Sequence, residues 1–133
     1  MIVLDTHTLL WMDRNDEKLG AESRRLIERA WQQGLVGVSA ITFWETAVLA
    51  ERGRVVLPKA VEMWRSELLL AGVQEIPVDG RIALSATQLE NLHRDPADRF
   101  IVSTTMHCRG LLITADAKIL DWQSELSRHD ARV

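Results

Sequence analysis

Met1-Ile2-Val3-Leu4-Asp5-Thr6-His7-Thr8-Leu9-Leu10-Trp11 opens the chain, and the reading of its first five residues decides the fold. Residues 2 to 4 are uniformly apolar, too short a run for a helix, and end on an acid, the pattern of a short buried strand. The same shape returns in Leu111-Leu112-Ile113-Thr114-Ala115-Asp116. A strand that is apolar throughout, rather than alternately apolar and polar, is covered on both faces and belongs to a parallel sheet.

Amphipathic helices fill the interval. Residues 21 to 33 set Leu26, Ile27, Ala30 and Trp31 on one face, with Arg24, Arg25, Glu28 and Arg29 elsewhere. Gly34 stops that helix, Val36 to Val38 form a second strand, and Ser39 is suited to cap a helix over 40 to 52 that Gly53 ends. After Pro58 a helix over 59 to 71 lines up Val61, Trp64, Leu68 and Ala71. Residues 73 to 78 read as a third strand, with Pro77 placing it at a sheet edge. Helices over about 80 to 92 and 96 to 109, the strand 111 to 114 and a short helix near 117 to 122 complete the order, leaving a polar tail from about 123. Strands alternating with helices predict one three-layer α/β/α domain over 1–133, with a short parallel sheet of four or five strands. In such sheets function gathers at the carboxyl ends of the strands.

Composition narrows the class. A chain of 133 residues suits one domain, and a single cysteine, Cys108, allows neither an internal disulfide nor a Cys-rich zinc site. Sixteen Lys and Arg against 19 Asp and Glu, a net charge of -3, argue against a basic surface that binds nucleic acid by charge alone. No apolar run approaches the roughly 18 residues of a membrane span. The opening residues lack a basic region and a long apolar stretch, so the expected location is the cytoplasm, without membrane attachment.

Acids stand at the points where chemistry is expected. Asp5 and Asp116 each follow a strand, where an ordinary helix N-cap is the competing reading for either one. Glu45 lies within the apolar stretch Phe43-Trp44-Glu45-Thr46-Ala47-Val48-Leu49 and on a helix shares a face with Ile41 and Leu49, which points it inward. A buried carboxylate needs a partner, and an ion pair to Arg52 is the structural alternative. In His93-Arg94-Asp95-Pro96-Ala97-Asp98-Arg99, Pro96 suits the first helical position. Asp95 is then the N-cap and Asp98 the third helical residue, free to project into the cleft. Four converging carboxylates repel one another unless cations neutralise them, and oxygen ligands suit Mg²⁺ or Mn²⁺ rather than zinc. Such ions can clamp a phosphodiester, activate water and stabilise the leaving oxygen, so the expected chemistry is metal-dependent phosphodiester hydrolysis.

Asp5-Thr6, Glu45, Asp95-Pro-Ala-Asp98-Arg99 and Thr114-Ala-Asp116, in this order, resemble the PIN-domain nucleases, and the small size with the Asp5-Thr-His-Thr-Leu-Leu-Trp11 opening is most similar to VapC-type toxins. The resemblance spans residue 2 to about 122. It implies that Asp5, Glu45, Asp98 and Asp116 are the catalytic, metal-binding acids, with Asp95 beside the third ligand, and that Thr6 and Thr114 are hydroxyls orienting them. It further implies a Mg²⁺-dependent endoribonuclease acting on RNA, a homodimer, and inhibition by a cognate antitoxin, for which an Arg entering the acidic cleft is a natural device.

The remaining candidates carry two readings each. His7 is placed either to touch RNA or to be satisfied by backbone at a helix start, and Arg99 either to touch a scissile phosphate or to form a local ion pair. His93, His107 and His129 show no metal-ligand spacing. Trp31 and Trp64 fit the core; Trp11 and Trp44 adjoin the acids, so base stacking or antitoxin docking competes there with core packing. Arg24, Arg25 and Arg29 are either a solvated helix face or a stripe that steers RNA. No Gly-rich phosphate loop or nucleophile elbow is present. A haloacid-dehalogenase-type phosphatase needs a second acid where His7 stands. A receiver-like binding domain has no use for an inward Glu45, while a DNA nuclease or an RNA-processing enzyme of the same fold remains an alternative.

Overall fold

A computed structural model describes all residues 1–133. The elements are β1 (Ile2–Leu4), α1 (Thr6–Asp13), α2 (Ala21–Gln32), β2 (Val36–Ser39), α3 (Ile41–Glu51), α4 (Val61–Leu70), β3 (Gln74–Ile76), α5 (Gly80–Ala86), α6 (Pro96–His107), β4 (Leu111–Thr114), α7 (Ala117–Leu120) and β5 (Arg128–Asp130). One five-stranded sheet in the order β3-β2-β1-β4-β5 is parallel at every pairing.

Alternation along the central strands divides the core into two. Ile2 and Leu4 of β1 join Val36, Val38, Phe43, Trp64 and Leu68 on one face of the sheet, whereas Val3 joins Leu92, Ile101, Val102 and Ile119 on the other. In β4 Ile113 packs on the first face and Leu112 on the second, as the period of two requires. The result is the three-layer α/β/α arrangement. Trp64 anchors the first layer, edge-on to Phe43 at 6.0 Å between ring centroids, with its indole N–H donated to Asp13 at 2.8 Å.

The strand order positions the site. From β1 the chain winds outward through β2 to β3, then crosses to the other side for β4 and β5. The crevice of a doubly wound sheet opens at the carboxyl ends of the two strands flanking such a reversal, here β1 and β4. Those are the strands that lead into Asp5 and Asp116.

Three expectations are corrected. The polar tail from about 123 contains a strand: Arg128–Asp130 pairs with Leu112–Thr114 as β5, and Trp122, Leu126 and Ala131 are buried. An edge strand secures itself by backbone hydrogen bonds, which Arg-His-Asp supplies without any apolar alternation. The third strand is only Gln74–Ile76, because Pro77 has no N–H to continue the ladder. The helix expected over 80 to 92 stops at Ala86. Beyond it, the guanidinium of Arg99 takes the carbonyls of Ala86, Leu89, Leu92 and His93, at 2.9 to 3.2 Å.

Arg99 therefore tethers the whole segment between α5 and α6 to the first turn of α6. Lysine keeps the charge but lacks the planar fork of donors that reaches several carbonyls at once. Arg99→Lys should lower the unfolding free energy in urea by about 2–3 kcal/mol, the scale of losing charged hydrogen bonds to partly buried carbonyls. A change within about 0.5 kcal/mol, typical of an inert surface substitution, would show that water satisfies those carbonyls equally well.

Candidate metal centre

Asp5 leaves β1 into the base of the crevice and is only 5% exposed. Its Oδ1 accepts the Thr6 backbone N–H at 2.8 Å as the N-cap of α1, and its Oδ2 accepts the Thr114 hydroxyl at 2.6 Å. The same Thr114 oxygen accepts the Asp116 N–H at 3.1 Å. One hydroxyl thus ties together the two acids that follow the two central strands. Asp116 in turn caps α7 through the Lys118 N–H at 2.8 Å. Capping and site placement are here the same act, since the cap fixes the carboxylate.

Asp95 caps α6, accepting from Ala97 at 3.0 Å and Asp98 at 3.4 Å. Asp98 sits in the first turn, with Oδ2 2.6 Å from His93 Nε2. Glu45 projects from the middle of α3 and is half-buried. The inward face of that helix is Thr42, Phe43 and Thr46 rather than Ile41, Glu45 and Leu49, so Glu45 stands at the border between core and cleft. Arg52 is exposed and forms no ion pair with it.

A cleft of ≈ 300 Å³ is lined by Asp5, His7, Trp11, Glu45, Asp95, Asp98, Ala115 and Asp116. The structure therefore brings together all four acids of the motif, plus Asp95, from five points along the chain. Ligand atoms of Glu45, Asp95 and Asp98 lie within 4.8 Å of one another, as do those of His93, Asp98 and Asp116. Asp98 belongs to both groups.

Electrostatics show the consequence. No lysine or arginine pairs with any of the four acids. Burial, then the charges of Asp5 and Asp95, push the Asp98 carboxyl up to about 9. Burial also raises Asp5, against the pull of its bonds from Thr114 and Thr6, and raises Glu45, against the Thr6 hydroxyl beside it. Negative charge is crowded here without a counter-charge, and the donors are carboxylate oxygens. That set fits a hard divalent cation.

Other expected residues fall elsewhere. Thr6 holds Asp5 with its amide, while its hydroxyl donates to Thr42 Oγ1 at 3.2 Å. His7 is exposed at the cleft mouth. Arg99 is committed to carbonyls and lines no part of the cleft, and it forms no local ion pair. Trp11 is buried in the first core layer and still contributes to the cleft wall. Trp44 departs from the core packing its neighbours suggest: it is 58% exposed, because Phe43 and not Trp44 faces the sheet. His93 has no metal-ligand spacing to the other histidines; the signal for it is its place two residues before the N-cap Asp95 and five before Asp98.

Residues 2–122 match the PIN domain family. The chain is 29% identical over 119 residues to Ribonuclease VapC22 of Mycobacterium tuberculosis, covering 89% of this chain and 88% of the relative. Among solved structures it is similar to the VapBC2 complex of Rickettsia felis bound to a promoter DNA fragment, with a TM-score of 0.70 at 16% identity over 97% of this chain and 98% of the other. It is also similar to a toxin-antitoxin complex from Klebsiella pneumoniae, with a TM-score of 0.66 at 20% identity over 98% of both chains. With the family matched across nearly its whole length, and the acids of the motif gathered in one cleft at the switch between β1 and β4, the chain belongs to the PIN domain family.

Proposed function

We propose that this chain is a Mg²⁺- or Mn²⁺-dependent endoribonuclease of the toxin-antitoxin kind, a cytoplasmic homodimer neutralised by a cognate antitoxin. The observation that carries the reading is the convergence of Asp5, Glu45, Asp98 and Asp116 on one cleft with no lysine or arginine paired to them. These four would hold the cation, with Asp95 at its edge. When bound, a divalent ion supplies Lewis acidity for activating water and offsetting charge at phosphorus. The chain's own part is to present the carboxylates. Thr114 fixes the Asp5 and Asp116 positions relative to each other, and the rigid first turn of α6 fixes Asp98. Hydrolysis should leave 5′-phosphate and 3′-hydroxyl ends.

A nucleic-acid substrate is favoured over a small phosphate ester by what lies beside the cleft. A second, more open cleft of ≈ 800 Å³ is lined by His93, Arg94, Lys118 and Gln123, among others. Arg94 and Lys118 are exposed and form no ion pair, so they are available to phosphates flanking the one being cut. Exposed Trp44, next to Glu45 in sequence, offers a surface for stacking or docking. A protein partner is supported by similar structures found in toxin-antitoxin complexes and by a groove of ≈ 620 Å³ where Met12, Trp31 and Leu68 stand among the charged Asp13, Glu28, Lys59 and Glu67. No helix is long and apolar enough to cross a membrane.

Purified protein should cleave RNA with Mg²⁺, and EDTA or Asp5→Asn should reduce the rate by a factor of about 100 or more, the scale of losing metal-assisted catalysis. Equal rates in all three samples would overturn the assignment.

The pH dependence has a definite sign. Asp98, raised from an ordinary carboxylate value to about 9, binds more protons in the folded than in the unfolded cation-free protein. Stability therefore falls as pH rises from about 4 to about 9. In EDTA the melting temperature should decline across that window, more steeply than in Asp98→Asn. Added Mg²⁺ should restore it most at the alkaline end, with proton release on binding measurable by calorimetry in buffers of different ionisation enthalpy. A wild-type melting temperature that is flat in EDTA would contradict the crowding of charge at Asp98.

A further inference from the structure

His93 is the one basic side chain in contact with the acids. Its Nε2 lies 2.6 Å from Asp98 Oδ2 and 3.9 Å from Asp116 Oδ2, and the side chain is 17% exposed. Its other ring nitrogen, Nδ1, is buried with no hydrogen-bond partner. Buried polar atoms without partners are uncommon and call for a physical account.

The tautomer supplies one. With a divalent cation bound, Asp98 is held ionised and only accepts hydrogen bonds, so the 2.6 Å contact then requires the imidazole proton on Nε2. A proton on Nδ1 would leave a buried donor unpaired and set the Nε2 lone pair against the Asp98 oxygen. With the proton on Nε2, the bare Nδ1 lone pair is the lesser loss. The ring is also placed from below: Arg99, next to Asp98, donates to the carbonyls of Leu92 and His93 at 2.9 and 3.2 Å. The first turn of α6 therefore carries both the acid and the clamp on the histidine that contacts it.

We propose that His93 is a positioning residue, donating its Nε2–H to Asp98 Oδ2 so that the other oxygen of Asp98 stays directed at a bound divalent cation. This rests on the cation-dependent reading above. His93 is not a ligand in this arrangement, because one nitrogen cannot donate to Asp98 and coordinate an ion together, and hard cations favour the oxygens around it. Outer-shell partners of this type typically alter metal affinity by about 10–100-fold when removed. Glutamine can offer a side-chain N–H at a similar distance from the backbone; leucine fills comparable space without a donor.

The test is titration calorimetry of Mg²⁺ and of Mn²⁺ into the full chain, without RNA, for wild type, His93→Gln and His93→Leu, with melting temperatures in EDTA as a control for folding. The expected result is a loss of about 10–100-fold in affinity for both ions in the leucine variant. The glutamine variant should stay within a few-fold of wild type, and wild type loaded with Mg²⁺ should show the Nε2–H tautomer of His93 by nitrogen NMR. Unchanged Mg²⁺ affinity in His93→Leu would overturn the proposal while leaving the nuclease reading intact. So would equal losses in both variants, or a loss confined to Mn²⁺, which would mark a direct nitrogen ligand. Wild-type protein that binds neither ion would overturn both readings.

Discussion

Like charges held close together in a poorly hydrated cleft oppose folding, and the architecture of this protein is organised around holding them there. Asp5 is almost wholly buried, and Asp98 has its proton affinity raised by burial and by its acidic neighbours. Arrangements of this sort persist where the surrounding fold over-determines them and where a ligand relieves the repulsion. Each acid is fixed by its own local device: a helix cap at Asp5 and at Asp116, a proline-started first turn at Asp98, and a half-buried mid-helix position at Glu45. Because these devices are independent, the cleft does not rely on the acids attracting anything in order to form.

Sheet topology turns those separate devices into one site. Strands β1 and β4 are neighbours in space though more than 100 residues apart in sequence, and their last residues deliver Asp5 and Thr114 to each other. Thr114 then reaches Asp116 through its amide. Thr8 adds to the seam by donating to the Ile113 carbonyl at 2.8 Å. The floor of the cleft is thus a hydrogen-bonded junction between two strand ends, and the sheet's hydrophobic layers set its stiffness.

Much of this could be read from the sequence where a single residue type satisfied two constraints at once. Asp5, Asp116 and Asp95 are recognisable because they follow strands or precede a proline, and the helix-starting geometry is local. Glu45 was visible as an acid in an apolar run, but its exact environment was not, since the choice between the Ile41 and the Thr42 face of α3 depends on how the helix rolls against the sheet. The same roll decides between the two readings of Trp44, leaving it exposed. β5 and the segment after α5 were illegible on other grounds. Arg-His-Asp has no strand-like pattern, and the carbonyls that stop α5 at Ala86 are claimed by an arginine from another helix. Both features are held by contacts between distant parts of the chain, which periodicity does not record.

The charge of the molecule acquires a different meaning once the acids are located. A net charge of -3 describes 19 acids and 16 bases averaged over the surface; removing the four acids of the cleft leaves 15 acids against those 16 bases. The remainder is near neutrality, and its bases are not evenly spread with respect to the cleft. Arg94 and Lys118 line, with His93, the open cleft beside it, each next in sequence, or nearly so, to an acid that lines the acidic cleft. Alternation of sign over one or two residues at Arg94-Asp95 and Asp116-Ala117-Lys118 lets the backbone send a carboxylate into the cleft and a cation to its rim. Under the proposed reading, a polyanion arriving at such a rim would meet positive charge first, and would meet the acids only where a divalent cation offsets them.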